Sequence, residues 1–459
     1  MSKTLIYNAR IVGAPSLTPL TPGWVLVEDD RIAALGAGDP ADSMRTGADA
    51  IDAAGAMLLP GLIDSHVHFR EPGLTHKGTI ASESAAAVLG GVTSFIEMPN
   101  TVPATTDKAA FADKLERAKG TSAANYGFML GAADGVMTAL GDIDRQLGAD
   151  LLPAVKLFMG TTTGGMAMPR PDQLDQMLSY CADSGIPVVV HAEDNAIIAD
   201  NTAAAIARYG SAEAVPLSEH SSIRSAEACL SCARQAIDMA LSSGARLHLA
   251  HVSTAAEAAL LQGGTPEGKQ ITAETTPMYL DGEFCDPEKR TWRHKINPAV
   301  KSDAMELRRA LADGLIDTIA TDHAPHLPSE KGGGALKAAS GAPSVQFALP
   351  VMLEYLAPET IVEKMAVNPA AIFGVMKRGK IEEGFYADLV LVEKCTRHII
   401  ADTDVASPCG WTPFKGHAVY NRVAFVWVNG KIAVANGSLT GTAAGQPLRF
   451  AHKQGKQNQ

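Results

Sequence analysis

Short apolar runs alternate with longer amphipathic stretches through the middle of this 459-residue chain. The runs have the length of buried strands, whereas the stretches at 170–184 and 225–243 repeat their apolar residues with helical spacing. Strands that alternate with helices predict a parallel sheet, and eight such units close into a TIM-like (β/α)8 barrel. The apolar runs lie at 56–63, 91–100, 124–133, 151–160, 185–194, 245–253, 270–280 and 315–326.

Both ends of the chain have short alternating segments separated by Gly and Asn turns, a pattern typical of antiparallel strands. We therefore predict a small β-sandwich domain formed from both chain ends, residues 1–56 and 379–459, around a barrel domain of residues 57–378. The glycine-rich stretches at 162–165 and 331–334 lack the G-K-S/T sequence of a phosphate loop. We interpret them as mobile loops near the site.

Composition and charge narrow the class of protein. Hydrophobic residues make up 46% and charged residues 19% of the sequence, as in ordinary globular domains. The formal net charge of −11 argues against binding to nucleic acid or to an anionic membrane, because both need a basic surface. The sequence has no N-terminal signal pattern, and no apolar run approaches the ~20 residues that span a bilayer. It also has no disulfide framework, so we expect a cytoplasmic location.

Polar residues stand at the ends of the predicted strands. The segment at 64–70 reads DSHVHFR, and in an extended strand His66, His68 and Arg70 project to one face. In a (β/α)8 barrel, the carboxyl ends of all strands open onto the face where active sites are built. The other polar residues at such ends are Lys156, His191, His251 and Asp322.

The four histidines and the aspartate supply nitrogen and oxygen donors that suit zinc or a similar divalent ion. Lys156 is the unusual member of the set, because a buried ammonium beside a metal ion is costly. A lysine that has reacted with CO2 is an anion whose two oxygens can bridge two metals. A lysine whose stem packs while its head reaches solvent has no such role, and the residues alone leave both interpretations open.

These motifs resemble the amidohydrolase superfamily and, within it, the binuclear dihydroorotases, which open a cyclic amide. The resemblance runs from the first strand to about residue 435 and rests on DSHVHFREPGLTHKGT, GGVTSFIEMPNT, VKLF, TDHAPH and GFYADLVLV. It implies two divalent metal ions, for which zinc is the first expectation. His66 and His68 would bind one ion, His191 and His251 the other, and Lys156, carboxylated by CO2, would bridge both. Asp322 would bind the first ion and shuttle protons.

The resemblance also implies a reaction: a hydroxide that bridges the ions opens (S)-dihydroorotate, and the reverse reaction closes N-carbamoyl-L-aspartate in pyrimidine biosynthesis. The ring carboxylate of dihydroorotate calls for a guanidinium and companion donors, and Arg70 is placed for that role. The substrate contacts implied are His68, Arg70, Asn100, Asn297 and His326.

Two alternatives share much of this sequence pattern. Allantoinases and dihydropyrimidinases or hydantoinases use the same metal ligands on rings that lack the carboxylate, and the set of Arg70, Asn100 and His326 argues against them. A non-catalytic scaffold for aspartate transcarbamoylase would have lost metal ligands, whereas every ligand position is filled here. We expect a homodimer, as is usual in the family, and the sequence leaves open whether it docks onto aspartate transcarbamoylase.

Overall fold

The computed structural model describes residues 2–17, 22–160, 166 and 168–452, so the loop predicted at 162–165 lies outside it. Within this part of the chain, strands occupy the following positions: β1 Lys3–Ile11, β2 Pro22–Glu28, β3 Arg31–Ala37, β4 Asp49–Asp52, β5 Met57–Pro60, β6 Leu62–Val67, β7 Val92–Glu97, β8 Asn125–Phe128, β9 Leu130–Gly131, β10 Val155–Phe158, β11 Val188–His191, β12 Leu247–Leu249, β13 Ile271–Thr275, β14 Thr318–Ile319, β15 Leu389–Ile399, β16 Ala418–Val428, β17 Lys431–Ala435 and β18 Ser438–Leu439.

Strands β6 to β14 form a closed parallel barrel with eight strand positions. The third position is divided, because β8 pairs with β7 whereas β9, two residues further on, pairs with β10. The barrel closes where Val67 bridges to His323 and the His68 amide donates to the His323 carbonyl at 2.7 Å. This arrangement confirms the predicted barrel and gathers the carboxyl ends of its strands on one face.

The chain ends form a separate mixed sheet of nine strands. From one edge the order is β18, β17, β16, β15, β5, β1, β2 and β3, with β4 also paired to β1. Strand β5 joins the two ends, because it runs parallel to β1 and antiparallel to β15. This sheet confirms a small β domain built from both ends of the chain, while its exact limits at 56/57 and 378/379 stay a prediction.

In the described part of the chain, eleven α-helices lie between successive barrel strands, one short helix lies between β3 and β4, and four follow β14. Their positions are α1 Asp42–Arg45, α2 Ile80–Leu89, α3 Lys108–Ala118, α4 Val136–Gln146, α5 Pro171–Ser184, α6 Asn195–Tyr209, α7 His220–Ile223, α8 Ala226–Ser243, α9 Ala255–Ala258, α10 Pro277–Leu280, α11 Gly282–Cys285, α12 Ala304–Ala312, α13 Gly334–Lys337, α14 Ala348–Met352, α15 Pro358–Val362 and α16 Asn368–Phe373. In the described part of the chain, no helix is both long and apolar enough to cross a lipid bilayer.

Local sequence explains where the two predicted helices begin and end. Helix α5 starts with Pro171, whose fixed φ suits the first helical position, and ends before Gly185 at φ +71°. Helix α8 starts after Ser225, whose side chain accepts from the Ala228 amide, and ends before Gly244 at φ +78°. The apolar faces of both helices join the barrel strands in the main hydrophobic core.

Candidate active site and metal centre

The carboxyl ends of the barrel strands surround one cavity. Nine of the ten residues that the sequence predicts for the site line it, and only His326 lies behind its wall. Their roles as ligands or substrate contacts stay predictions, although their convergence follows directly from the barrel topology. The lining residues are His66, His68, Arg70, Asn100, Lys156, Phe158, His191, His251, Asn297, Asp322, Ala324, Ser340 and Gly341.

His66, His68 and Asp322 form a cluster whose ligand atoms all lie within 4.8 Å of one another. His66 Nδ1 contacts the Glu274 carboxylate, and His68 Nδ1 lies 2.8 Å from Asn100 Oδ1, so each Nδ1 carries the proton. Each Nε2 therefore turns a lone pair towards Asp322 Oδ1, at 3.5 Å for His66 and 3.1 Å for His68. Three electron-rich atoms that face one another fit a divalent cation.

Burial keeps this cluster in the protonation state that a metal needs. Desolvation lowers the pKa of His68 to about 4, so its imidazole is neutral at pH 7. Burial alone would raise the pKa of Asp322, but the nearby His66 and His68 outweigh it and hold that pKa below its usual range. The neutral imidazole of His68 and the carboxylate of Asp322 are therefore available as ligands.

A second histidine pair lies across the cavity. His191 Nε2 is 3.0 Å from Glu193 Oε2, which makes it the protonated nitrogen and leaves a lone pair on Nδ1. That Nδ1 lies 2.8 Å from His251 Nε2, and His251 Nδ1 has no hydrogen-bond partner in the described structure. The guanidinium of Arg224 in turn contacts Glu193 and fixes the carboxylate behind His191. This pair fits a second divalent ion.

Lys156 lies on β10 between the two histidine sets, and its side chain is fully buried. Its Nζ has no hydrogen-bond partner among the described residues. Burial lowers the pKa of Lys156 to about 8, so a neutral amine is accessible near neutral pH. The side chain is therefore not that of a lysine whose head reaches solvent, and it lines the same cavity as both histidine sets.

Two buried carboxylates that support the site were not found from the sequence. Glu274, at the end of β13, binds His66 through Oε1 and lies 3.3 Å from His248 Nε2 through Oε2. Asp64 accepts from the His66 amide at 3.2 Å and from the Thr321 amide at 3.0 Å, and so ties β6 to the segment that carries Asp322. Glu274 stands next to the end of its strand, the same signal that identified the candidate ligands, whereas Asp64 lies in the middle of β6 and gives no such signal.

Three site residues adopt backbone conformations that side chains rarely take. Arg70, His251 and Asp322 have φ values of +73°, +39° and +47°. Each such residue costs about 1–3 kcal/mol and persists only where the surrounding structure enforces it. These conformations lower the free energy of unfolding but place the three side chains on the cavity wall, as is typical of functional sites.

Arg70 is buried at 2% exposure, yet no described carboxylate lies within ion-pair distance of it. Its Nε donates to the Pro325 carbonyl at 3.0 Å, and one terminal nitrogen lies 3.1 Å from His326 Nε2. The neighbouring Glu71 binds Arg117 and the Ile80 amide, so it does not neutralise Arg70. An unpaired buried guanidinium on the cavity wall is suited to an anionic group of a ligand.

His326 occupies a fixed position behind Arg70. Lys77 Nζ donates to its Nδ1 at 3.0 Å, so Nε2 carries the proton and donates to the Ser340 carbonyl, also at 3.0 Å. Burial and the charges of Arg70 and Lys77 hold the pKa of His326 far below its usual range, so the ring is neutral. Its predicted contact with substrate stays a prediction. Lys77 is 7% exposed and is part of this support.

Comparison with known proteins gives a consistent result. The sequence pattern of the amidohydrolase family matches residues 57–433. Dihydroorotase of Halobacterium salinarum is 36% identical over 393 residues, which cover 83% of this chain and 88% of the relative. Dihydroorotase of Brevibacillus brevis is 32% identical over 436 residues, covering 91% and 96%.

Solved structures with the same fold include an L-hydantoinase (dihydropyrimidinase) from Arthrobacter aurescens. It superposes with a TM-score of 0.87 at 27% identity, covering 98% of this chain and all of that one. A dihydropyrimidinase from Brevibacillus agri gives a TM-score of 0.85 at 24% identity, which is a likeness of fold alone. The family match and the shared fold thus agree with the barrel and the family resemblance found from the sequence.

Proposed function

The chain belongs to the amidohydrolase family, and on that premise we propose that it is a metal-dependent cyclic amide hydrolase that interconverts (S)-dihydroorotate and N-carbamoyl-L-aspartate. Its relatives named dihydroorotase are 30–36% identical over most of the chain. Closure of the ring is the direction that pyrimidine biosynthesis needs.

One observation carries the choice of substrate: Arg70 is a buried cation without a carboxylate partner among the described residues, on the wall of the cavity that holds the candidate metal ligands. Dihydroorotate has a ring carboxylate that dihydrouracil, hydantoins and allantoin lack. A guanidinium binds a carboxylate through two parallel hydrogen bonds, and a buried cation left unpaired is costly. An uncharged ring would leave that cost in place.

Two divalent ions, zinc first among them, would be held by His66, His68 and Asp322 on one side and by His191 and His251 on the other. Lys156, carboxylated by CO2, would lie between them, and its unpartnered Nζ supports this role. When bound, such ions polarise an amide carbonyl and bring the pKa of a bound water towards neutrality. Side chains of the protein would carry the proton and hold the substrate.

Asp322 is the proton carrier in this proposal. Its Oδ1 lies 3.5 and 3.1 Å from the Nε2 atoms of His66 and His68, and a pKa below the usual range keeps the carboxylate ionised, so that it can accept the proton of the attacking water. It then returns that proton to the leaving ring nitrogen, acting first as base and then as acid. Arg70 and Asn100 would hold the ring carboxylate, with His326 behind them, and Asn297 would contact the ring, so that the scissile amide faces Asp322.

The test is ring opening by purified protein in bicarbonate buffer, with dihydroorotate, dihydrouracil and a hydantoin measured side by side. We expect a kcat/KM for dihydroorotate at least about 100-fold above the uncharged rings, because a buried ion pair is formed only with the carboxylate. Preference for hydantoin would favour the second candidate, a hydantoinase, which the likeness to the Arthrobacter aurescens structure supports. It would also refute the role of Arg70.

We further infer a homodimer, as is usual in the family, and a cytoplasmic location, which agrees with six cysteines that form no disulfide among the described residues. Light scattering on the purified protein, alone and mixed with aspartate transcarbamoylase, would test both the dimer and the possible partner. A monomer at micromolar concentration would refute the first inference, and an unchanged mass in the mixture would refute docking.

A further inference from the structure

A second cavity shares one short segment of the chain with the catalytic cavity. Asn297 lines the catalytic cavity, whereas Ala299 and Val300 line the second one, whose volume is about 240 Å³. The rest of its wall comes from the segments 217–221 and 287–294. Sites for drug-sized ligands begin at about 300 Å³, so this cavity suits a smaller organic molecule. Ring opening as described above uses none of the side chains that line it.

One wall of this cavity carries a cation without a counter-ion. Among the described residues, no carboxylate lies within ion-pair distance of Arg290, whereas Arg293, three residues further on, pairs with Asp402 at 2.7 Å. Arg290 Nη1 donates to Ser221 Oγ at 3.1 Å, and its buried Nε has no hydrogen-bond partner in the described structure. A guanidinium is always charged, and its Nε and Nη2 edge matches two oxygens of a carboxylate or a phosphate. This wall therefore favours an anion.

The rest of the wall indicates the chemistry of the remainder of the ligand. Leu217, Pro287 and Val300 give it an apolar surface, and no carboxylate is among the described residues that line it. His294 adds a donor, because its Nδ1 accepts from the Thr291 amide at 2.9 Å and the ring proton is therefore on Nε2. Burial lowers the pKa of His294 to about 4, so this ring is neutral at pH 7. A cation, a neutral donor and an apolar surface together suit an anion with a small apolar body.

One hydrogen bond connects this wall to the catalytic cavity. His220 lines the second cavity, and its Nε2 donates to the Ile296 carbonyl at 2.9 Å. Ile296 precedes Asn297, whose buried Oδ1 has no hydrogen-bond partner among the described residues. Residues 295–300 lie outside any helix or strand, so their position depends on contacts of this kind. A ligand that fixes His220 therefore also restrains the residue predicted to contact the substrate ring.

Two buried lysines fix the start of the same segment. Lys295 and Lys331 are 4% and 2% exposed, and Lys331 Nζ donates to the Lys295 carbonyl at 2.6 Å. The segment is thus held at Lys295 independently of the second cavity. His220 is left as the contact through which that cavity acts on Ile296.

We propose that this cavity is a second ligand site, which binds a small organic anion: its carboxylate or phosphate contacts Arg290, and its apolar body lies against Leu217, Pro287 and Val300. The anion and the substrate would then hold the irregular segment 295–300 from two cavities. The conformational entropy of that segment is lost only once, so each ligand should tighten the binding of the other by the same factor. The site itself goes beyond the proposed function, and only its coupling to the substrate rests on that function.

Calorimetric binding to the metal-loaded protein tests the site. The probes are benzoate, phenyl phosphate and benzyl alcohol, which share an aromatic ring and differ in the charged group. Benzoate or phenyl phosphate should bind more tightly than benzyl alcohol, and the tighter of the two identifies the anionic group that the site takes. We expect Arg290→Met to weaken the charged probes about 10- to 100-fold, the usual effect of one hydrogen bond to a charged group, and to leave benzyl alcohol unchanged.

Two further variants keep the test independent of any loss of structure in Arg290→Met. Ser218 lines the cavity from an exposed position, so Ser218→Phe should fill part of the cavity without disturbing the core and should weaken all three probes alike. Arg145→Met is the matched control, because this exposed arginine on α4 pairs with Asp142 and does not line the cavity. It should change the binding of no probe.

The KM for dihydroorotate, measured at increasing probe concentration, tests the coupling. A probe that only competes in the catalytic cavity raises KM, whereas occupation of the second site lowers it. We expect KM to fall about fivefold or more as the tighter probe is added. It should not fall in Arg290→Met or Ser218→Phe.

Three outcomes would overturn the inference: charged probes that bind no more tightly than benzyl alcohol; unchanged binding in Arg290→Met; or binding that is lost in Arg70→Met, which would place the anion in the catalytic cavity. A KM that does not fall would refute the coupling. Failure of the proposed function has a different signature, because the protein alone would then not turn over dihydroorotate, whereas its binding of the probes would be unaffected.

Discussion

Replacement of Glu274 by Gln tests whether the site depends on the orientation of its first ligand. The carboxylate is 1% exposed and binds His66 Nδ1, so His66 Nε2 is left without a proton and faces Asp322 Oδ1 at 3.5 Å. Glutamine has nearly the same shape but no charge. Its amide nitrogen can also face His66, which would move the imidazole proton to Nε2 and remove the ligand lone pair.

The size of the effect follows from the bond that is lost. A hydrogen bond to a charged group contributes about 1.5–3 kcal/mol, which at 1.4 kcal/mol per factor of ten is about 10- to 100-fold in affinity. Loss of a residue that orients a metal ligand typically weakens metal binding by the same factor. We therefore expect Glu274→Gln to weaken the first ion about 10- to 100-fold and to change the second ion less.

The assay is competition for Zn²⁺ between the metal-free protein and a fluorescent chelator. Glu257→Gln is the matched control, because Glu257 is a buried carboxylate whose side-chain hydrogen bonds, among the described residues, go to Ser253 and Thr254 next to its own helix. Its metal affinity should equal that of the wild type. A Glu274→Gln protein that binds zinc within about twofold of wild type, with an unchanged Tm in the metal-free state, would refute the orientation argument.

Three further predictions concern the substrate, the bridging residue and pH. Arg70→Met should raise KM for dihydroorotate about 100-fold or more while bound metal stays at the wild-type level, and metal loss by elemental analysis would contradict the proposed division between ligands and substrate contacts. Lys156→Ala should bind one ion instead of two by elemental analysis and lose nearly all activity, and two bound ions in this variant would contradict the bridging role. Metal-free protein should lose stability as pH falls from 6.5 to about 4, because burial lowers the pKa of His68 and the unfolded chain binds more protons there; a flat Tm across this range would contradict this.

The candidate ligands could be found from the sequence because each lies in or next to a short apolar run that predicts a buried strand. His191 ends the run VVVH, and Lys156 lies within VKLF, so both had to lie near the carboxyl end of a barrel strand once the barrel was predicted. The spacing of His66, His68 and Arg70 added a shared face. These patterns are local, so they can be recognised without knowledge of the tertiary structure.

Glu274, Lys295 and Lys331 illustrate what such patterns miss. Glu274 is separated from His66 by 208 residues, and its contact depends on how β13 and β6 lie around the barrel. Lys295 lies outside any helix or strand and Lys331 ends a four-residue 3-10 helix, so neither has a hydrophobic periodicity around it, and an exposed lysine is the ordinary expectation. Their burial depends on loops that pack over the barrel mouth.

The sequence by itself determined the strand and helix order, the family and the set of donor atoms, because these depend on residue type and on spacing along one element. Only the tertiary structure decided which nitrogen of each histidine carries its proton, which buried cations lack a counter-ion, and which side chains support the ligands from behind. Those properties depend on distances of about 3 Å between atoms far apart in the chain, where burial strengthens each charge and hydrogen bond.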